Sequence, residues 1–214
     1  LNALTDGLLN LTGGVNFYNS DLIAKNSIIK NIFAEDALNI VKSDFTLEKI
    51  TITNAVSDAV DSDFSQGLIT SSTFENIKGD ALDFSGSMVT ISLVETNNIG
   101  DKSISAGEQS NLYIEESRLR NTAIGITSKD GSQVTIKNTI IEDYDLFGVM
   151  SYVKKDFYVQ KPSIELLNCT VDDGAPYLRQ TGSLMIVNGE DIPESKFDVD
   201  LLYSQPDNNL LLIQ

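Results

Sequence analysis

The stretches EDALNIV (35–41), SDAVDSDF (57–64) and GDALDFSG (79–86) share the phrase Asp-Ala-(Leu/Val)-(Asn/Asp), and their aspartates, Asp36, Asp58 and Asp80, stand 22 residues apart. Serine keeps the same interval at Ser43, Ser65, Ser87, Ser110 and Ser132, with steps of 22, 22, 23 and 22. Asparagine follows at Asn31, Asn54, Asn76, Asn98 and Asn121, with steps of 23, 22, 22 and 23. Apolar columns accompany them: Leu38, Val60, Leu82, Ile104 and Ile126, and Ile29, Ile52, Phe74, Leu119 and Ile141, the second interrupted by Thr96. A period of 22 is too short for helical-pair repeats of ~33–47 residues. β-Branched residues, period-two alternation and Gly/Asn/Asp/Ser punctuation speak for strands. The Leu-x-x-Leu-x-Leu pattern of leucine-rich repeats is absent. The sequence therefore predicts an all-β parallel solenoid with three short strands per coil, stacked at ~4.8 Å so that equivalent residues form columns.

Those columns have physical reasons. A corner Asn can donate its amide to the Asn above and accept from the one below, and a corner Ser can close its hydroxyl onto the backbone. Roughly seven coils are expected over 15–172, with 1–14 as a lead-in or partial coil and 173–214 as irregular last coils or a cap over an end that needs protection from edge pairing. Residues 151–162, SYVKKDFYVQKP, break the period, because Val134 to Ile164 is 30 residues, and predict a projecting loop. SLMIVNGEDI (183–192) and FDVDLLYSQ (197–205) alternate as strands, and the apolar tail NLLLIQ (209–214) is expected to pack against the core or cap.

Composition narrows the function. Fifteen basic residues face 31 acidic ones, a net charge of −16. Phosphate binding needs a cationic footprint, so a nucleic-acid role is excluded and an anionic membrane surface is disfavoured. No apolar run reaches the ~18–20 residues of a membrane span. The chain has no His, which removes Ser/His and Cys/His catalysis and the usual zinc sites. Its one Cys, Cys169, reads as a small buried apolar residue.

Alternation sorts the acidic phrase. If Leu82 and Phe84 point inward, Asp83 points out, and the strip Asn39, Asp61, Asp83, Ser105, Thr127 runs along one exposed sheet face. Its neighbour reads Val41, Asp63, Ser85, then Glu108 and Asp130. Asp36, Asp58 and Asp80 take the inward parity at a corner, where an Asp accepts backbone N–H bonds. Asp61 and Asp83 one strand apart repel by about 3 kcal/mol at an effective dielectric near 20. Full solvation, a bridging divalent cation or shared-proton acid/base chemistry each relieves that repulsion. Asp61, Asp63 and Asp83 are thus candidate cation ligands, with Ca²⁺ the natural ion. Asp61, Asp83 and Lys102 are candidate catalytic groups, and Asn39, Asp63, Ser105 and Lys129 candidate substrate contacts. The default role of Lys102 and Lys129 is to neutralise nearby carboxylates.

EDALN, DSDF, DFSGS, ISAGEQS and TSKDGSQVTIKNT, with the Asn columns, resemble the right-handed parallel β-helix superfamily, the pectate-lyase-like solenoids, and more narrowly the β-helix repeat regions of exported bacterial proteins. The resemblance covers about 15–172. It implies a secreted or surface module on which a polysaccharide lies along an acidic sheet, with Ca²⁺ assistance and, if catalytic, lyase, hydrolase or epimerase-like chemistry. The His motifs of several enzymatic branches are missing, no Arg falls on the strip, and without Trp any sugar stacking uses Tyr or Phe. A non-catalytic structural or adhesive solenoid is the alternative. Protein contact through the 151–162 loop or the C-terminal end is a third.

Overall fold

A computed structural model describes residues 4–6, 9–199 and 201. It is a parallel β-solenoid. Strands such as Asp44–Glu48, Gln66–Thr70 and Met88–Ser92 form a nine-stranded sheet, here the first sheet. The second strand of each coil (Thr51–Ala55, Thr73–Ile77) and the third (Asp58–Asp63, Leu82–Ser85) are separated by short breaks at 56–57 and 78–81, and in Glu95–Gly107, Arg118–Lys129 and Ile140–Tyr152 they merge into single long strands. The register is the sequence period: Gln66 pairs with Met88, Phe74 with Ile52, and Leu82 with both Val60 and Ile104.

The columns fill the cylinder. Ile52, Phe74, Leu82, Phe84, Ile91, Ile104, Ile126 and Ile141 are fully buried in one continuous core. Thr96, the polar member of its column, is buried too, and its hydroxyl meets that of Ser103 at 2.8 Å inside the core.

The corners follow from a backbone constraint. A chain leaving one strand for the next cannot keep every N–H in a ladder, and a buried unpaired N–H costs free energy. The serines supply the partner. Ser43 N donates to Ser65 Oγ at 3.0 Å, Ser65 N to Ser87 Oγ at 3.1 Å, Ser87 N to Ser110 Oγ at 3.1 Å, and Ser110 N to Ser132 Oγ at 3.2 Å. All five serines are buried. At the opposite turn Asn31, Asn54, Asn76, Asn98 and Asn121 adopt left-handed backbone, with φ between 49° and 60°. Their amides chain as Asn54 to Asn31 at 2.9 Å, Asn76 to Asn54 at 3.2 Å and Asn98 to Asn76 at 2.7 Å. Asn121 steps aside and donates to Asn97. A third corner column, Ile50, Ser72, Val94, Ser117, Thr139 and Cys169, repeats the serine device wherever a hydroxyl is present: Ile50 N donates to Ser72 Oγ and Val94 N to Ser117 Oγ. Cys169 ends this column half-buried, its Sγ 3.5 Å from the carbonyls of Ile136 and Leu167.

The parallel stack continues past Asp172, since Tyr177–Gln180 pairs with the strand containing Val149 and Leu184–Val187 pairs with Ser163–Leu167. It then turns back through an antiparallel pairing of Ile186 with Asp191. Residues 197–199 form no strand, contrary to their alternation, because Phe197 and Val199 are spent on a second apolar cluster with Ile124, Phe147, Met150, Tyr152 and Leu178 on the outside of the bent sheet. The tail 209–214 lies outside the described residues.

Replacing Ser87 by Ala orphans the buried amide of Ser65 and should lower unfolding free energy by about 1–3 kcal/mol in denaturant titrations. Asn76→Gly, which tolerates the left-handed turn and removes only the exposed ladder bonds, should cost about 1 kcal/mol or less. An equal loss for both would mean that burial does not set the weight of the corner bonds.

Candidate functional site

The phrase Asp-Ala-Leu-Asp builds a stack of carboxyls along the third strands. Asp80 N donates to Asp58 Oδ1 at 2.8 Å, and Lys102 N donates to Asp80 Oδ1 at 2.8 Å. Each of these corner carboxylates caps the next coil's backbone. Asp36, in the first such coil, accepts from the Thr12 hydroxyl at 2.6 Å and the Asn39 amide at 3.2 Å instead. Gly79 is required here: a Cβ at that position would lie 2.0 Å from Asp58 Oδ1. Lys102, buried with Asp80, sits at the end of the column, 3.4 Å from Asp80 Oδ1 and 2.5 Å from Asp101 Oδ2. Its side chain is structural, neutralising carboxylates as a buried charge must.

The outward strip is in the expected register: Asn39 pairs with Asp61, Asp61 with Asp83, Asp83 with Ser105, and Ser105 with Thr127. Its exposure is not as expected. Asn39 is 6% exposed, Ser105 and Thr127 are 0%, and Asp61 and Asp83 are half-buried. Lys129 folds back along the strip, its Cε close over Gly107 and its Nζ 4.0 Å from Asp83 Oδ1. The second apolar cluster continues the same column, since Thr127 pairs with Met150. The neighbouring column also differs. Ser85 pairs with Gly107, so Glu108 falls beyond it and makes an ion pair with Lys155. Asp130 is buried and accepts the backbone N–H groups of Lys154 and Lys155, which anchors the loop; the loop spans 153–162, since Ser151 and Tyr152 end a strand and are buried.

The electrostatics follow from this cover. Burial, with Asp63, Asp36 and Asp83 nearby, pushes the Asp61 carboxyl up to about 9. Burial and Glu108 raise Asp63 to about 6, and burial raises Asp58 to about 6 despite the hydrogen bond from Asp80. Burial also raises Asp80, against the pull of Lys102. Asp61 is therefore a neutral carboxylic acid at pH 7, hydrogen-bonded to Asn39 at 3.0 Å.

This arrangement does not suit Ca²⁺ at Asp61, Asp63 and Asp83. Among the described residues no three Asp, Glu, His or Cys side chains converge on one point. Asp61 Oδ2 is taken by the Asn39 amide at 3.0 Å, and Asp83 Oδ1 lies 4.0 Å from the Lys129 ammonium. A hard cation needs several ionised oxygens around it.

A surface depression lies at another corner, between the first sheet and the second strands. A groove of about 480 Å³ is lined by Ser71, Leu93, Glu95, Glu116, Arg118 and Ile140, among others. Asn138 links it to a depression of about 400 Å³ that reaches Asn168 and Asn188. The corner residues Ser71, Leu93, Glu116, Asn138, Asn168 and Asn188 all have left-handed backbone, with φ between 48° and 57°. Arg118 is held by Glu142 at 2.5 Å. Sequence reasoning missed this groove because the residue type changes from Ser71 to Leu93, Glu116 and Asn138, and the insertion after Tyr152 then breaks the spacing to Asn168.

These columns, coils and ladders are those of a known architecture. The chain belongs to the right-handed β-helix family, whose profile, described as a right handed beta helix region, matches residues 36–192. No curated protein matches the chain.

The raised carboxyls fix a pH dependence. Their folded pKa values, about 6 for Asp58 and Asp63 and about 9 for Asp61, lie above the unfolded value of about 3.9. The folded chain holds protons that the unfolded chain releases, so stability is full below about pH 4 and is lost as pH rises through 6 toward 9. Melting temperature should fall between pH 5 and 9, and Asp61→Asn, which keeps an acceptor for Asn39, should remove most of the fall above pH 7. A melting temperature that rises over this range would contradict the assignment.

Proposed function

We propose that the protein is a polysaccharide-binding β-helix that carries an extended, neutral glycan along its corner groove. The observation that carries this reading is the groove's continuity from coil to coil, from Ser71 to Asn188. Over six coils of ~4.8 Å it offers a track of about 24 Å. Its lining alternates hydroxyl, amide and carboxyl groups with the apolar side chains of Leu93 and Ile140, which suits a ligand whose rings have both hydroxylated edges and apolar faces. Glu95 and Glu116 lie in it, and Arg118 is neutralised by Glu142, so a polyanionic glycan is repelled. Such a ligand sets the working place of the module at the cell surface or outside the cell.

A processing role is the second reading, and one observation favours it: Asp61, held protonated beside Asp63 and Asp83, has the character of a general acid. Its half-burial, with the Asn39 amide bonded to it and Lys129 reaching the adjacent Asp83, limits access by a chain-like substrate.

Affinity electrophoresis through neutral polysaccharides such as xylan and glucan tests the proposal. Leu93→Lys with Ile140→Lys, both at exposed positions, should weaken retention at least about tenfold, roughly 1.4 kcal/mol, without altering the melting temperature. Asp61→Asn should leave retention unchanged. Unchanged retention of the groove variant, or cleavage of the glycan that disappears with Asp61→Asn, would favour the second reading.

A further inference from the structure

One step of 22 residues beyond Asp80, the column of corner aspartates carries Lys102 instead. The carboxyl column therefore ends on an amine that reaches the carboxyl group of the coil before it. Lys102 Nζ lies 3.4 Å from Asp80 Oδ1, and the two side chains are 3% and 7% exposed. A second carboxyl oxygen, Asp101 Oδ2, lies 2.5 Å from the same nitrogen, on a side chain that is 46% exposed.

A regular strand does not assemble this triad. Consecutive side chains on a strand point to opposite faces, so Asp101 and Lys102 should diverge. The ladder is irregular at this point: the register between Glu95–Gly107 and Arg118–Lys129 shifts between Ile99 and Lys102. Such an irregularity re-aims side chains. Gly100 permits it, since a Cβ there would lie 2.3 Å from the Lys78 carbonyl oxygen. Backbone bonds clamp the two coils around the site. Asp101 N donates to the Gly79 carbonyl at 3.2 Å, Ala81 N to the Lys102 carbonyl at 2.9 Å, and Lys102 N to Asp80 Oδ1 at 2.8 Å. To neutralise Asp80, Lys102 needs neither the bulge nor Asp101.

Burial disfavours the ionised forms of both partners, and it raises the Asp80 carboxyl against the pull of Lys102. A neutral amine held against a neutral carboxyl group, with a carboxylate touching the nitrogen, is the reactant state of amide formation. We propose that Lys102 Nζ and Asp80 Cγ become joined by an intramolecular amide bond once the coils have stacked. The nitrogen lone pair attacks Cγ. The Asp101 carboxylate takes a proton from the nitrogen and passes it to the departing hydroxyl group. A C–N bond forms, a C–O bond breaks, and one water leaves past the exposed Asp101; nothing is oxidised or reduced, and no co-reactant is needed. The remaining oxygen still accepts Lys102 N, so the corner cap survives while two buried charges disappear. The bond closes the coil 80–102 into a covalent ring that reductant cannot open.

The intact mass of the folded 214-residue chain reads the outcome. It should be one water lighter than the sequence. Trypsin should leave Lys102 uncut and release a peptide from Gly79 to Arg118, one water light, and further cleavage after Glu95 should leave its two pieces joined. Lys102→Arg, which keeps the charge and loses the nucleophile, should have the full mass of its own sequence. Asp101→Asn should slow bond formation about a hundredfold, read as an unlinked fraction that declines with time after refolding. A folded wild-type chain with the full mass of its sequence overturns the proposal, and so does a water loss that persists in Lys102→Arg or maps elsewhere, as to a succinimide at Asp130–Gly131. Bond formation at the wild-type rate in Asp101→Asn overturns the proton transfer assigned to Asp101.

Discussion

A corner in a parallel solenoid has a backbone problem that strands do not: the chain turns, the ladder lapses, and an amide faces inward with nothing to bond. Here the coil above solves it with a side-chain oxygen. Ser65, Ser87, Ser110 and Ser132 each accept the amide of the serine one coil earlier, while on the acidic side Asp58 and Asp80 accept an amide from the coil that follows. The device works only if equivalent residues lie one above another, so it fixes the coil length. The repeated acidic phrase is therefore first a structural one. Its Asp caps a neighbour's backbone, its Ala is fully buried, and its Leu or Val enters the core.

Stacking has an electrostatic consequence. A residue useful at one corner recurs a few ångströms away, and when it is acidic the charges accumulate. Two responses are visible. Lys102 is buried beside Asp80 and sits where the column of corner aspartates ends, while Asp61 holds a proton. The acidic strip is thus tuned by burial as much as by its sequence, and Asp61 within it is a neutral carboxyl group.

The columns were legible because a single residue type persisted through them. Ser, Asn and the Leu/Val/Ile positions carried period and register without further information, and the partners Asn39–Asp61–Asp83–Ser105–Thr127 follow from counting alone. Exposure was not legible. Alternation tells which side of a strand a residue takes, but not what lies over that side; Lys129 and the cluster around Met150 and Tyr152 reach the strip from later coils. The column Ser72, Val94, Ser117, Thr139, Cys169 escaped notice because its oxygen is present in some coils and replaced in others. Glu108 was misassigned for a related reason: Gly107 takes the pairing position, and the turn slips by one residue.

Amide hydrogen exchange at the serine corner tests the central claim most directly. The N–H groups of Ser43, Ser65, Ser87 and Ser110 belong to no strand ladder, yet each is bonded to a buried hydroxyl one coil away. They should exchange as slowly as the core strands Gln66–Thr70 and Met88–Ser92, opening only with the coil as a whole. Exchange as fast as that of exposed turn amides would contradict the account, because the coils would then be joined by their strands alone.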